Sequence, residues 1–321
     1  MADPEAAIER GATADSPTQF SLTAWREILV RVWTNSGRHS LGFLAGGVAF
    51  FGFLSFVPAL GLMVMLYGLF ADPSVIFTHM MEVVRVFPAN AAELINDQLG
   101  NLIKTANATR GWALVPAVAI ALYGASGAAS GITSSLNIVY EQDERRSFVR
   151  LTLVSFAMVA ATLVVGLLGL VAASAIGLIE TVVGELTDFA TALVRVLTWL
   201  LTAAFASATF AAIYRYGPCR KHAKWRWLGL GSLLATVLWL LGSVLFGLYA
   251  SLVGYDATYG SLGAVVALLM WFYISAYAVL LGAFVDAEAE RQTSRDSTTG
   301  PEQPLGKRGA VVADTSAASG Q

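Results

Sequence analysis

From Leu41 to Phe70 the chain runs for thirty residues without one charged side chain. As an α-helix that run is about 45 Å long, whereas about 20 residues suffice to cross about 30 Å of hydrocarbon. Such a run is too long for a buried helix of a soluble domain, so lipid is the solvent it implies. Five further apolar stretches follow, over 112–140, 148–179, 190–214, 227–253 and 261–285. Composition agrees: 56% of the 321 residues are hydrophobic and 13% charged, against about 25% charged in a soluble domain. The fold class read from this is all-α: a polytopic membrane protein with a six-transmembrane-helix bundle over 39–290.

The segments outside the spans read differently. Residues 1–20 are polar and rich in Ala, Glu, Asp and Thr, which predicts a disordered start. They lack the basic start and apolar core of a cleavable signal, so the first apolar helix is expected to direct its own insertion. Over 21–38, Leu22, Trp25, Ile28, Leu29, Val32 and Trp33 recur at helical spacing, with Arg26, Glu27 and Arg31 opposite. That pattern predicts an interfacial amphipathic helix. Within the first span, Pro58 predicts a bend.

Asp72 and Pro73 suit a helix start. The stripes beyond them, Ile76, Met80, Val83, Val84 and Phe87, then Leu94, Ile95, Leu99, Leu102 and Ile103, are too polar in setting to span. A small amphipathic helical cap over 72–110, on the outer side, is expected. The Ser-, Thr-, Gly- and Pro-rich stretch 291–321 predicts a disordered cytoplasmic tail.

Lys and Arg accumulate in cytoplasmic loops. Sixteen of the 20 basic residues lie in the N-terminal region, the 140–150 and 215–226 loops and the tail. The opposite side holds only Arg85, Lys104 and Arg110, and the 179–189 loop has Glu180, Glu185 and Asp188 without a basic partner. The expected topology is multi-pass in a cell inner membrane, with both termini cytoplasmic.

Three groups of residues invite a functional reading. Tyr123, Ser126, Ser130, Ser134 and Asn137 recur every three or four residues, interleaved with Gly124, Gly127 and Gly131. They fit either close helix packing through small residues or the wall of a substrate path. Thr191, Arg195, Thr198, Thr202 and Thr209 share a face of the fourth span. Arg195 either snorkels to the outer interface beside Glu185 or Asp188, or contacts an anion. At the end of the sixth span, Asp286, Glu288 and Glu290 oppose the helix macrodipole. They fit a solvated cytoplasmic exit or a cation or proton site facing Arg145 or Arg146.

No catalytic, cofactor-binding or metal-ligating set is legible. His39, His79 and His222 are scattered, and the single cysteine, Cys219, cannot form a disulfide within the chain or a thiolate cage. Neither a phosphate-binding glycine loop nor a nucleophile elbow is present in the sequence. A formal charge of -2 gives no overall attraction to nucleic acid.

Four stretches resemble the YihY/BrkB family of bacterial inner-membrane proteins, historically labelled ribonuclease BN, over about residues 38–291. They are Ala49 to Pro58 with its Ser55–Pro58 pair; Leu136 to Tyr140 followed by Arg145 and Arg146; Tyr214 to Tyr216 with Leu245 to Tyr249; and Tyr259 to Gly263 with Trp271, Tyr273 and Leu281 to Ala283. The family has a glutamate after that Gly-Ala, where this chain has Phe284 and places Asp286 two residues on.

The resemblance implies six spans and no particular substrate. The functional expectation is a transporter or envelope-maintenance protein with a small-molecule or lipid-like substrate, the polar faces of spans two and four lining a central cavity. The other reading is a non-transporting scaffold whose small-residue faces serve packing or a homo-oligomer. Its partner in both is the lipid bilayer, and the ribonuclease label is disfavoured by the missing metal-ligand cluster.

Overall fold

The computed structural model describes residues 10–67, 96–98, 100–101, 114–162, 188–253 and 262–318. The helices that build the bundle are α1 (Leu22–Arg38), α2 (Leu41–Tyr67), α3 (Leu114–Val139), α4 (Phe148–Thr162), α5 (Asp188–Tyr216), α6 (Gly229–Val253), α7 (Gly263–Gln292) and the short α8 (Val311–Asp314). No strand occurs among the described residues. The predicted outer cap over 72–110 falls almost wholly outside them, as does span three beyond Thr162.

Four of these helices, α2, α3, α6 and α7, are long and apolar enough to cross a membrane. No more than 39% of the apolar stretch of any of them is buried. Leu, Val, Phe and Trp side chains instead crowd the outside, among them Phe43, Ile120, Leu153, Trp199, Leu241 and Leu252. A soluble protein rarely presents so much contiguous apolar surface, whereas lipid tails accept it.

Helix α7 is the central element and packs against α1, α2, α3 and α6. Where α6 crosses it, a Cβ on Gly231 would overlap the Gly282 carbonyl and the Asp286 carboxyl, and one on Gly282 would meet Ala235 Cβ at 2.8 Å. Without side chains at these two positions the backbones touch, the usual route to dispersion energy in lipid. The Tyr214 hydroxyl of α5 donates to Val279 O of α7 at 2.6 Å.

Helix α2 continues through Pro58 and packs on α3. A Cβ on Gly124 would lie 2.8 Å from Pro58 Cγ and one on Gly127 2.9 Å from Ser55 Oγ, which accepts the Ala128 N–H at 2.9 Å. The small-residue stripe of α3 is thus the seat of α2.

The two predictions of disorder are corrected over the described residues 10–20 and 291–318. Ala12, Ala14, Pro17 and Phe20 are buried, and Ala12 O accepts the Ser294 N–H at 2.8 Å. The chain from Thr293 to Ala318 is packed as well, with Ser297, Thr298, Val312 and Ser316 fully buried. Its polarity serves internal bonds: the buried Arg308 donates to the carbonyls of Ser294, Arg295, Gln303 and Ala313. Low hydrophobicity predicts disorder only where polar groups have no better partner than water.

Helix α1 also departs from its expected burial pattern. Ala24, Ile28, Val32 and Ser36 are its buried line, in an element packed on α7, while Leu22, Leu29 and Trp33 remain exposed on another face. Arg31, assigned to the polar side by periodicity, reaches Glu288 of α7 at 2.8 Å.

Candidate functional site

Helix α3 ends in a Schellman turn, with Gln142 N–H on Asn137 O, Glu141 N–H on Ile138 O, and Glu141 itself left-handed at φ 53°. This turn directs Asn137 and Tyr140 inward, both buried. The Asn137 amide then joins two loops, donating to Glu144 Oε2 at 2.8 Å and accepting the Cys219 N–H at 2.7 Å. Arg146 grips the same Glu144 through Nε at 2.8 Å and Nη2 at 2.7 Å, and also donates to Gly217 O at 2.9 Å. The Arg146 hydrogen bond outweighs partial burial and, aided by Asn137, lowers the Glu144 carboxyl to about 2.

These loops floor a cleft of about 1220 Å³ between α4 and α5. Its walls are two helix faces: Val154, Ala157, Met158 and Ala161 on α4, and Phe205, Ala208, Thr209, Ala212 and Ile213 on α5. Both sets follow the i, i+3, i+4, i+7 spacing of one side of a helix. The alanines leave the gap open where longer side chains would fill it. Around the floor and rim stand Arg145, Arg146, Arg150, Lys221, His222 and Lys307, with Asp314 the one carboxylate of the lining. Asp314 caps its own turn, accepting the Arg308 and Gly309 N–H groups. The tail supplies Gly306, Lys307, Gly309, Ala310 and Val311 to the wall and is bound to the floor by Lys221 N–H on Gly309 O at 3.0 Å.

Behind the floor lies a buried polar network. Arg220 belongs to the cleft lining, yet its side chain is fully buried and pairs with the equally buried Glu290 at 2.6 Å. Its guanidinium carbon sits 4.4 Å from the Tyr140 ring centre, a cation–π arrangement. Ser297 donates to Glu290 at 2.8 Å, and Glu288 is held by Arg31 and by Asn35 at 2.7 Å. The solvated exit expected for Asp286, Glu288 and Glu290 is therefore corrected, because each is at most 2% exposed. The charges that offset them come from Arg31 and Arg220, distant in sequence from α7, and the predicted Arg145 and Arg146 lie instead in the cleft.

Asn137 ties the floor loops together, but none of the polar face of α3 lines the cleft itself. Tyr123 is exposed on the outside, Ser126 is buried and donates to Tyr123 O, Ser134 is exposed, and Ser130 meets Ser155 of α4 at 3.1 Å. Thr202 is exposed on α5, and the side chains of Arg195 and Thr198 fall outside the described set. Thr209 is the member of the α5 threonine face that lines the cleft. The α4 and α5 walls carry a readable signal that the sequence reading passed over: alanines paired at helical spacing in both spans, next to loops rich in arginine.

Among the described residues no group of three or more His, Cys, Asp or Glu side chains is arranged to hold a metal ion. The family model described as Virulence factor BrkB matches residues 32–306. A ribonuclease-like protein, YfkH, of Bacillus subtilis (strain 168) is 31% identical over 204 residues, 62% of this chain and 73% of its own. A UPF0761 membrane protein of Psychromonas ingrahamii is 25% identical over 270 residues, 82% of this chain and 88% of its own. No solved structure matches.

Proposed function

Because the chain belongs to the Virulence factor BrkB family and is a membrane protein, we propose that it binds anionic amphiphiles in the α4–α5 cleft, as a step in their transport or in envelope maintenance. The observation that carries this reading is the two-part lining. Cationic side chains ring one end and apolar helix faces form the walls, which matches an acidic head group joined to an alkyl chain. Each basic group near a membrane surface contributes about 1 kcal/mol toward an anionic head group. The six spans cross an inner membrane, and the basic rim faces the cytoplasm, as the distribution of Lys and Arg supports. No bond is made or broken in this role; the ribonuclease-like name belongs to the Bacillus relative.

The test is binding of a fluorescent long-chain alkyl phosphate to the purified full-length protein in phosphatidylcholine vesicles. Arg145→Ala and Arg150→Ala are each expected to weaken binding about fivefold, and the uncharged alcohol of equal chain length should bind poorly. Equal affinity for alcohol and phosphate, or no loss in the double variant, overturns the reading. The non-transporting scaffold is the second reading, supported by the engagement of Gly124, Gly127 and Ser130 in contacts with neighbouring helices. It predicts that neither ligand binds.

A further inference from the structure

Asp286 is 0% exposed, and of its two carboxyl oxygens only Oδ1 has a partner, the Gly231 N–H at 2.7 Å. Oδ2 is buried without one, and so is the hydroxyl of Tyr140, a residue that is also 0% exposed. One helical turn on, Glu290 takes both terminal nitrogens of Arg220, at 2.6 and 3.2 Å. Arg215 of α5 donates to Ala223 O, and Lys224 to Asp296 O. Arg31 of α1 is bound to Glu288, Arg291 to Glu141 at 3.1 Å, Arg308 to the carbonyls around it, and Arg226 to Asp15 at 3.8 Å. Helices α2, α3 and α6 contain no charged residue. His39 stands beside Phe284 and 3.8 Å from Glu141, and Tyr214 donates to Val279 O.

Among the described residues, the one guanidinium paired at this level of α7 is that of Arg220, on Glu290, and no cation lies within ion-pair distance of Asp286, the second fully buried carboxyl four residues earlier. Two carboxylates sharing a dry site with one cation leave a unit of negative charge unmatched, and a buried acid in that position takes up a proton instead of ionising. We propose that Asp286 is a proton-binding site: its carboxyl is a neutral acid in the packed bundle, the proton carried on the unpartnered Oδ2. Ionisable groups inside membrane helices commonly serve as proton-carrying positions. The site lies behind the cleft floor, with Arg220 common to both, but it does not depend on what the cleft binds.

The experiment is infrared difference spectroscopy of the full-length protein in lipid vesicles at neutral pH, in sodium-containing and sodium-free buffer, without added ligand. A protonated-carboxyl band is expected in the wild type in both buffers and lost in Asp286→Asn. If the band is missing, is abolished by sodium, or survives in Asp286→Asn, the proposal fails. A measurement on the wild type alone guards against a variant that does not fold: unfolding at neutral pH should release about one proton per chain as Asp286 reaches water. Unfolding without proton release overturns the proposal as well.

Discussion

The Arg220 guanidinium carbon lies over Tyr140, 4.4 Å from the ring centre, while both its terminal nitrogens hold Glu290. One side chain from the α5–α6 loop therefore ties the end of α3 to the last turn of α7, at full burial.

Removing one partner of such a pair strands a buried charge. Glu290→Ala is expected to cost about 3–5 kcal/mol, and Arg220→Met combined with Glu290→Leu less, since two matched apolar side chains leave no charge uncompensated and only the Ser297 hydroxyl without its acceptor. Denaturant titration in mixed micelles measures both. A cost for Glu290→Ala no larger than the ~0.5 kcal/mol typical of surface changes would show that the pair does not hold the loop.

Two glycines in the spans should answer alanine in opposite ways. At Gly124 the new methyl would lie 2.8 Å from Pro58 Cγ, part of a ring that cannot turn aside, and a loss of about 1–3 kcal/mol is expected. At the exposed Gly47 nothing lies within 4 Å, so the helix-propensity gain of up to about 1 kcal/mol prevails. Thermal unfolding midpoints of the two variants should move in opposite directions.

Ligand binding in the cleft should depend on ionic strength. The screening length falls from about 10 Å at 0.1 M salt to about 3 Å at 1 M, so alkyl phosphate affinity should drop across that range while partitioning of the matching alcohol stays flat. The slope should be shallower in Arg145→Ala and Lys307→Ala, which remove charge from the rim. A wild-type affinity indifferent to salt would count against the cationic rim.

Glu144 carries a pH signature. Its carboxyl is lowered from 4.5 to about 2 by Arg146 and Asn137, so folding favours the charged form. The stabilisation is complete above about pH 4.5 and is lost as pH falls toward about 2. The midpoint difference between wild type and Glu144→Gln should be constant at higher pH and shrink over that window. Because Glu144 is partly solvated, the effect should be modest, and a difference that widens on acidification would contradict the assignment.

How much of this was legible in advance varied with the physical distance an inference had to cross. The helices followed from local spacing, since a membrane helix satisfies its backbone within itself, whereas the same spacing left open whether the small residues of α3 serve packing or a substrate path. The cleft was harder, because its α4 and α5 walls are ordinary apolar residues that acquire meaning only beside Arg145, Arg150 and Lys307. The tail was misread because its polar composition is also that of a segment whose partners lie far away, as the Arg308 contacts demonstrate.

By itself the sequence determined that this is a helical membrane protein, since hydrocarbon imposes its demand on length and polarity residue by residue. Tertiary structure alone decided that Glu290 meets Arg220, that Asp286 has no cation of its own, and that α4 and α5 stand apart to form a cleft. Charge pairing inside a bundle depends on which helix ends converge, and those ends are separated by up to 257 residues of chain, as in the Arg31–Glu288 pair.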